Sequence, residues 1–284
     1  MEKIPIRHIT ATQKEPDLSE SFSIRNLQAL LAKGDMVQEL HRHDFYYILF
    51  LEKGAGSHDI DFTSYTISEN SVFFMRPGQV HELELKSEST GYLLQFSPEF
   101  YYPLNKVSKQ LLRNAGSTNY YQFSDERFKK LLSVLNYIFQ EYSDREEKYL
   151  DIIKANMGVL FLELIRGKDK DSSDDNFYMQ GQLDKFTELL ETHVFENKQV
   201  SQYAAMLNLS AYQLNAITKA TLGKTCSELI NEHIILEAKR CLLATSNQIN
   251  QIAYRLGYED VSYFIRFFKQ HTGHSPEVFR NNFK

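Results

Sequence analysis

Ile252-Ala-Tyr-Arg-Leu-Gly-Tyr-Glu-Asp-Val-Ser-Tyr-Phe-Ile-Arg-Phe-Phe-Lys269 is the stretch whose reading decides how the second half of this chain folds. It begins inside a short helix, Gln248–Leu256, capped by Asn247, with Ile249, Ile252 and Ala253 facing inward. Gly257-Tyr-Glu-Asp260 follows as a turn that ends in a helix cap. The next helix, Val261–Gln270, buries Phe264, Phe267 and Phe268 and stops at Gly273, where a residue without a Cβ can take the left-handed conformation. A small residue at the crossing, a tight turn and a capped longer helix are what two closely crossing helices need.

The same grammar occurs upstream. Leu183–His193 is helical by its spacing, and Val200–Asn208 is a short helix carrying the small residue Ala204. Ser210-Ala-Tyr-Gln213 has the form of a capping box, so a helix begins at Ala211, turns Leu214, Ile217 and Leu222 inward and ends at Gly223. Thr225-Cys-Ser-Glu228 is a second capping box and opens a spacer helix through Leu229, Ile230, Ile234, Leu236, Leu242 and Leu243. One such unit is ordinary in any all-helical domain. Two of them, matched at Ser210 and Asp260 and again at Gly223 and Gly273, are hard to ascribe to accident.

With Gly273-His-Ser-Pro276 and the closing segment Ser275-Pro-Glu-Val-Phe-Arg280, residues 183–283 resemble the AraC/XylS family of transcription regulators. The resemblance implies two recognition helices, coupled by the spacer, in successive major grooves of double-stranded DNA. Carried over by position, Tyr212, Asn215 and Ala216 are the base-reading residues of the first helix, and Val261, Ser262, Ile265 and Arg266 those of the second. Arg266 can donate two hydrogen bonds to guanine O6 and N7. Lys219, Lys224 and Lys269 read as phosphate contacts, or as plain solvated lysines. Ala216 departs from the family, which often has a long polar or basic side chain there, so the first unit is expected to read bases less stringently.

The bulk composition allows this. At 284 residues, 42% hydrophobic and 24% charged, the chain has an ordinary globular make-up and is long enough for two cores. No run approaches the ~20 apolar residues of a membrane span, and no apolar signal core follows Met1, so a cytoplasmic location and no membrane partner are expected. Cys226 and Cys241 lie too far apart on one helix to bridge each other, which suits a reducing compartment. The net charge of −5 is unevenly distributed: residues 1–180 hold 21 Lys+Arg against 27 Asp+Glu, whereas residues 198–284 hold 10 against 6. Nucleic-acid binding is permitted by this balance and not demanded by it.

The polar run Gly167-Lys-Asp-Lys-Asp-Ser-Ser-Asp-Asp-Asn176 separates the halves. Before it, Tyr46–Leu51, Ser71–Met75 and Gly91–Phe96 are short strands bounded by turn residues. Phe128, Leu131, Leu132, Leu135, Ile138, Phe139 and Tyr142, then Leu150, Ile153, Met157, Leu160, Phe161 and Leu164, are two amphipathic helices hinged at 143–147; their stripes pack on the barrel or pair two chains. The expected fold is α+β in two domains: an N-terminal cupin-like β-barrel with a helical hairpin, and an all-α C-terminal domain with two helix-turn-helix units joined by a spacer helix. Its boundaries are an N-terminal arm 1–22, a sensor barrel 23–105, a helical dimerisation region 106–166, a linker 167–180 and a DNA-binding domain 181–284.

His41-Arg-His43 and Pro77-Gly-Gln-Val-His81 resemble the two short motifs of the cupin barrel. Metal-binding cupins add a carboxylate soon after the first pair, where this chain reads Phe45-Tyr-Tyr-Ile-Leu49. Strand alternation points His41, His43, Phe45 and Tyr47 inward, and with His81 they form the expected effector pocket, with neither metal nor cofactor. Three histidines that hold zinc or iron with water in the open positions are the alternative, which would make a metal-dependent cupin enzyme fused to a DNA-binding module. A regulator without any effector is the other. The family resemblance implies a small-molecule effector, a homodimer and RNA polymerase among the partners. Gly223-Lys-Thr225 is a helix stop and no phosphate loop, and His271 and His274 lack the partners of a zinc site.

Overall fold

The computed structural model describes residues 6, 7, 9, 21–101, 106–167 and 174–282. The chain divides near residue 170 into two compact units.

The first unit holds strands β1 (Ile6–Arg7), β2 (Phe22–Asn26), β3 (Met36–His43), β4 (Tyr46–Lys53), β5 (Gly56–Ile60), β6 (Thr63–Thr66), β7 (Ser71–Met75), β8 (Val80–Leu85), β9 (Thr90–Phe96) and β10 (Tyr120–Gln122). Its helices are α1 (Leu27–Leu30), α2 (Pro98–Tyr101), α3 (Lys106–Ala115), α4 (Asp125–Asp144) and α5 (Tyr149–Arg166). One sheet runs β1-β3-β8-β5-β6 and the other β10-β7-β4-β9-β2. The two face each other across a shared core of Tyr47, Leu49, Leu51, Phe73, Met75, Leu83 and Leu85.

The unbroken apolar run of β4 has a direct cause: its sheet is covered on both faces. Tyr47, Leu49 and Leu51 enter the core between the sheets, while Ile48 and Phe50 join Phe74, Leu94 and Phe96 in a second core beneath α4 and α5. The apolar stripe of the helical hairpin is used there: Phe128, Leu131, Leu135, Ile138, Ile153, Met157, Leu160, Phe161 and Leu164 are buried against the sheet of the same chain. Each such side chain contributes roughly 1.5–3 kcal/mol of burial. The hairpin turns on two left-handed residues, Arg145 (φ 53°) and Lys148 (φ 65°).

Three expected boundaries shift. Strand β10 lies inside the stretch read as wholly helical, because Tyr120–Gln122 finds an open edge at β7. Strand β1 lies inside the expected arm and pairs in parallel with β3, Ile6 opposite Arg42 and Arg7 opposite His43; the rest of that arm, apart from Ile9 and residues 21–22, is outside the described residues. Helix α6 (Asp174–His193) runs back into the expected linker, of which 168–173 are outside the described residues. Buried Leu183, Phe186 and Leu190 anchor that helix, and once it is nucleated each further residue adds a backbone hydrogen bond.

The second unit continues with α7 (Val200–Met206), α8 (Ala211–Leu222), α9 (Cys226–Ala244), α10 (Ile249–Arg255), α11 (Val261–Thr272) and α12 (Pro276–Asn282). Both expected capping boxes form: Ser210 Oγ accepts from Gln213 N at 3.1 Å while Gln213 Oε1 accepts from Ser210 N at 2.9 Å, and Thr225 and Glu228 repeat the exchange at 3.2 and 2.7 Å. The cap of α10 is Gln248 and not Asn247, because Gln251 Oε1 reaches back to the Gln248 N–H at 2.9 Å. Gly223 (φ 69°) and Gly273 (φ 81°) end α8 and α11 in the left-handed region as expected. Leu222 is exposed and Phe267 half-buried, both less covered than their spacing suggests. Cys226 and Cys241, both on α9, are buried and form no disulfide. Arg280 of α12 locks the far end of the spacer, donating from Nε to Leu242 O and from Nη2 to Asn247 O. Among the described residues no helix is long and apolar enough to cross a membrane.

Candidate nucleic-acid interface and histidine cluster

The two helix-turn-helix units share one backbone device. Leu209 N donates to Ala204 O and Tyr258 N to Ala253 O, both at 2.9 Å, and Ala204 and Ala253 are buried where the helices cross. The left-handed residue of the turn is Asn208 (φ 55°) in the first unit and Gly257 (φ 73°) in the second. Gly257 is needed for a further reason: a Cβ there would lie 1.7 Å from Phe195 O. Lys198 closes the same spot, donating to Phe195 O and Gly257 O at 2.9 Å with its ammonium 4.9 Å from the Tyr258 ring centre. No motif marked Lys198 in the sequence, since Gly257 and Tyr258, which give it its role, lie on a distant turn.

Of the residues expected to read bases, Tyr212 and Ala216 are exposed on α8, and Ser262 and Arg266 are exposed on α11, with Val261 and Ile265 half-buried beside them. Asn215 is held differently. Its Oδ1 accepts from Cys226 N at 2.9 Å and its Nδ2 donates to Ala211 O at 3.0 Å, so the side chain satisfies an orphan amide at the start of the spacer helix. Lys219 and Lys269 are exposed, while Lys224 pairs with Glu232 at 2.7 Å. That pair is solvent-exposed and weak enough for a phosphate to replace the carboxylate. Tyr263, exposed next to Ser262, adds an aromatic to the outer face of α11 that the family comparison of positions did not include.

In the first unit, all five expected pocket residues are brought together. His41, His43, Phe45, Tyr47 and His81 are at most 4% exposed and pack ring against ring: His43 stacks on Tyr47 at 5.1 Å and lies 4.3 Å from Phe45. Sheet register explains the gathering. A bulge between Gln38 and His41 switches which side of β3 faces inward, so that His41 stands directly opposite His81. His58, which the motifs passed over, is two positions from Ile60, and Ile60 pairs with His81. Its inward alternation with Ile60 was the available signal.

The nitrogens converge. His41 Nε2 lies 3.2 Å from His43 Nε2, and His81 Nε2 lies 2.9 Å from each of them. His41 Nδ1 is 2.7 Å from Glu39 O, and His58 Nε2 is 2.9 Å from His81 Nδ1. Burial holds the imidazoles neutral: His41 is lowered to about 4 although the Glu39 carbonyl opposes the shift, and His43 and His58 are lowered to about 3. His81 falls well below the usual histidine range, again through burial first and then through its histidine neighbours and Arg7.

Residues 32–135 match the AraC-like ligand binding domain, and residues 203–282 match the helix-turn-helix domain. The chain thus carries an AraC-like ligand-binding domain followed by a helix-turn-helix domain of the AraC type. Similar proteins include the HTH-type transcriptional activator RhaS of Yersinia pseudotuberculosis serotype I (strain IP32953), 24% identical over 247 residues, covering 85% of this chain and 88% of that protein. RhaS of Enterobacter sp. (strain 638) is 25% identical over 244 residues, covering 84% and 86%. Among solved structures, fatty-acid-bound ToxT from Vibrio cholerae strain SCE256 is 20% identical with a TM-score of 0.45, covering 92% of this chain and 95% of that one. The C-terminal domain of the response regulator yesN from Fusobacterium nucleatum is 26% identical with a TM-score of 0.33, covering 35% of this chain and 98% of its own.

Proposed function

We propose that this AraC-type chain is a cytoplasmic transcription activator and not an enzyme. On this reading it binds DNA as a homodimer through α8 and α11, engages RNA polymerase at its promoters, and answers to a small-molecule effector held by the N-terminal unit. The observation that carries it is the pair of alike, capped helices α8 and α11, joined by one spacer and presenting exposed polar residues. Matches to a ligand-binding domain and a DNA-binding domain in one chain support it, as do relatives named as activators over most of their length. Arg266 and Tyr212 are the leading base readers, with Ala216, Ser262, Val261 and Ile265 shaping the fit. Lys219, Lys224 and Lys269 meet phosphates, and Asn215 positions α8 against the spacer. Because the apolar stripe of the helical hairpin is used within the chain, dimerisation falls to its outer side, where Tyr137, Val159 and Leu162 are exposed.

Selection of duplexes from a random pool by the full chain tests the reading. The expected winners carry, for each protomer, two conserved blocks about one helical turn, or 10 bp, apart. A pool that stays random after selection would overturn it.

A further inference from the structure

We propose that His41, His43 and His81 bind a divalent transition-metal ion through their three Nε2 atoms, with His58 orienting His81 from behind. The site belongs to the barrel alone and stands apart from the DNA-binding reading.

The first argument is hydrogen-bond accounting. A neutral imidazole nitrogen either carries a proton and donates or bears a lone pair and accepts. Three nitrogens in mutual contact at 2.9, 2.9 and 3.2 Å form an odd ring, in which donors and acceptors cannot alternate. At least one contact must set like against like inside a buried core. His41 narrows the choice further: its Nδ1 needs its proton for Glu39 O, so its Nε2 offers a lone pair to the centre of the triangle. A cation that accepts three lone pairs satisfies all three nitrogens at once.

The second argument is metric. With metal–nitrogen bonds of about 2.0–2.1 Å, nitrogens at these separations subtend roughly 90–105° at a common ion, which suits three facial positions of an octahedron or a slightly closed tetrahedron. Imidazole sets of this kind suit zinc, iron, nickel or copper.

The third argument lies behind the ligands. Metal-binding histidines commonly fix their second nitrogen on a carbonyl or another polar group. Here Glu39 O does so for His41, and His58 Nε2, at 2.9 Å, does so for His81. The sequence pointed away from a metal because no carboxylate follows His43 at the usual place, yet three imidazoles make a sufficient set for an ion that keeps one position open. Tyr47, buried with its hydroxyl unpartnered and its ring on His43, is the donor that a water or ligand oxygen on that position would satisfy. Arg7 adds an unfavourable positive charge, but it is exposed at the sheet edge and screened by solvent.

The test is metal binding by the full chain. Protein stripped with a chelator is titrated with Co2+ and then with Zn2+, and circular dichroism confirms that each apo sample is folded. Wild type is expected to take up stoichiometric Co2+ with visible d–d absorption that Zn2+ abolishes. His43→Gln and His81→Gln should remove the signal, and His58→Gln should weaken Co2+ affinity by about 10–100-fold. Folded wild-type protein that retains no stoichiometric Co2+ by elemental analysis overturns the site, whatever the variants do. Binding that persists unchanged in His43→Gln and His81→Gln places the ion elsewhere and overturns it equally. Unchanged affinity in His58→Gln overturns the orienting role. DNA affinity is not the readout, so none of these failures touches the DNA-binding reading.

Discussion

Counted from their caps, Ser210 and Asp260, the two recognition helices are one design with different contents. Ala216 stands where Arg266 stands, Asn215 where Ile265 stands, and Lys219 where Lys269 stands. Thr218, buried and donating to Asn215 O, occupies the place of Phe268, which packs its ring on Phe264 and Phe279. The first helix therefore turns Asn215 and Thr218 back into the fold and is tied to the start of the spacer through Asn215. The second is seated on an aromatic core and leaves its arginine exposed. On the proposed reading this is an unequal division of labour: α8, with Tyr212 as its exposed aromatic, chiefly sets register on the duplex, and α11, with Arg266, does most of the base reading.

The turns offer the harshest way to break this comparison. Gly257→Ala places a methyl on the Phe195 carbonyl and holds a left-handed φ that costs an L-residue about 1–2 kcal/mol by itself. The total loss is expected near 3 kcal/mol, within the range of severe single substitutions. Asn208→Gly, at the matching turn, is expected to stay within about 0.5 kcal/mol, because that position is open to solvent and Asn tolerates the conformation. Hydrogen exchange of the α10 and α11 amides measures the first effect and that of α7 and α8 the second. Equal losses at the two turns would mean that the second is no tighter than the first.

Arg266→Ala sharpens the contrast at the DNA. It should cost about 1–3 kcal/mol of discrimination, confined to one base-pair position, with the fold unchanged. Asn215→Ala should behave in the opposite manner. Loss of the bond to Cys226 N removes about 1 kcal/mol of stability and weakens binding to all sequences alike, since the residue acts by holding α8 to α9. Binding measured against a panel of single-base variants of the selected site separates the two patterns. A position-specific loss in Asn215→Ala would return it to the base readers.

The second unit is legible in the sequence because its determinants are local. Caps at Ser210, Thr225 and Asp260, stops at Gly223 and Gly273 and aromatic spacing through Phe264 and Phe268 all act within a turn or two of helix. The run Tyr46–Leu51 announces a strand, but burial on both faces erases the alternation that would say which residues face inward. The histidine pocket is half legible: short motifs find His41, His43 and His81, whereas their convergence depends on a bulge in β3 and on the pairing of β8 with both β3 and β5. His58, Lys198 and the bond from Asn215 to the spacer depend on partners 23, 59 and 11 residues away, beyond any local pattern. Strand β10 is missed for the same reason, since only the open edge of β7 makes three residues between helices into a strand.

The smallest expected effect concerns the matched lysines. If Lys219 and Lys269 meet phosphates in equivalent places, each change to Ala should reduce the slope of log affinity against log salt by about one and leave base preference alone. Lys224→Ala should change the slope less, because Glu232 already neutralises that ammonium and a phosphate gains only what it wins from an exposed ion pair. Titrations of fluorescent duplex at several salt concentrations give the slopes directly. Equal reductions for Lys219 and Lys269 mean that both helices approach the backbone in the same way and differ only in reading. A reduction for Lys269 alone would show that the first unit stands off the duplex, and would make α8 a strut for the spacer and no longer a second recognition helix.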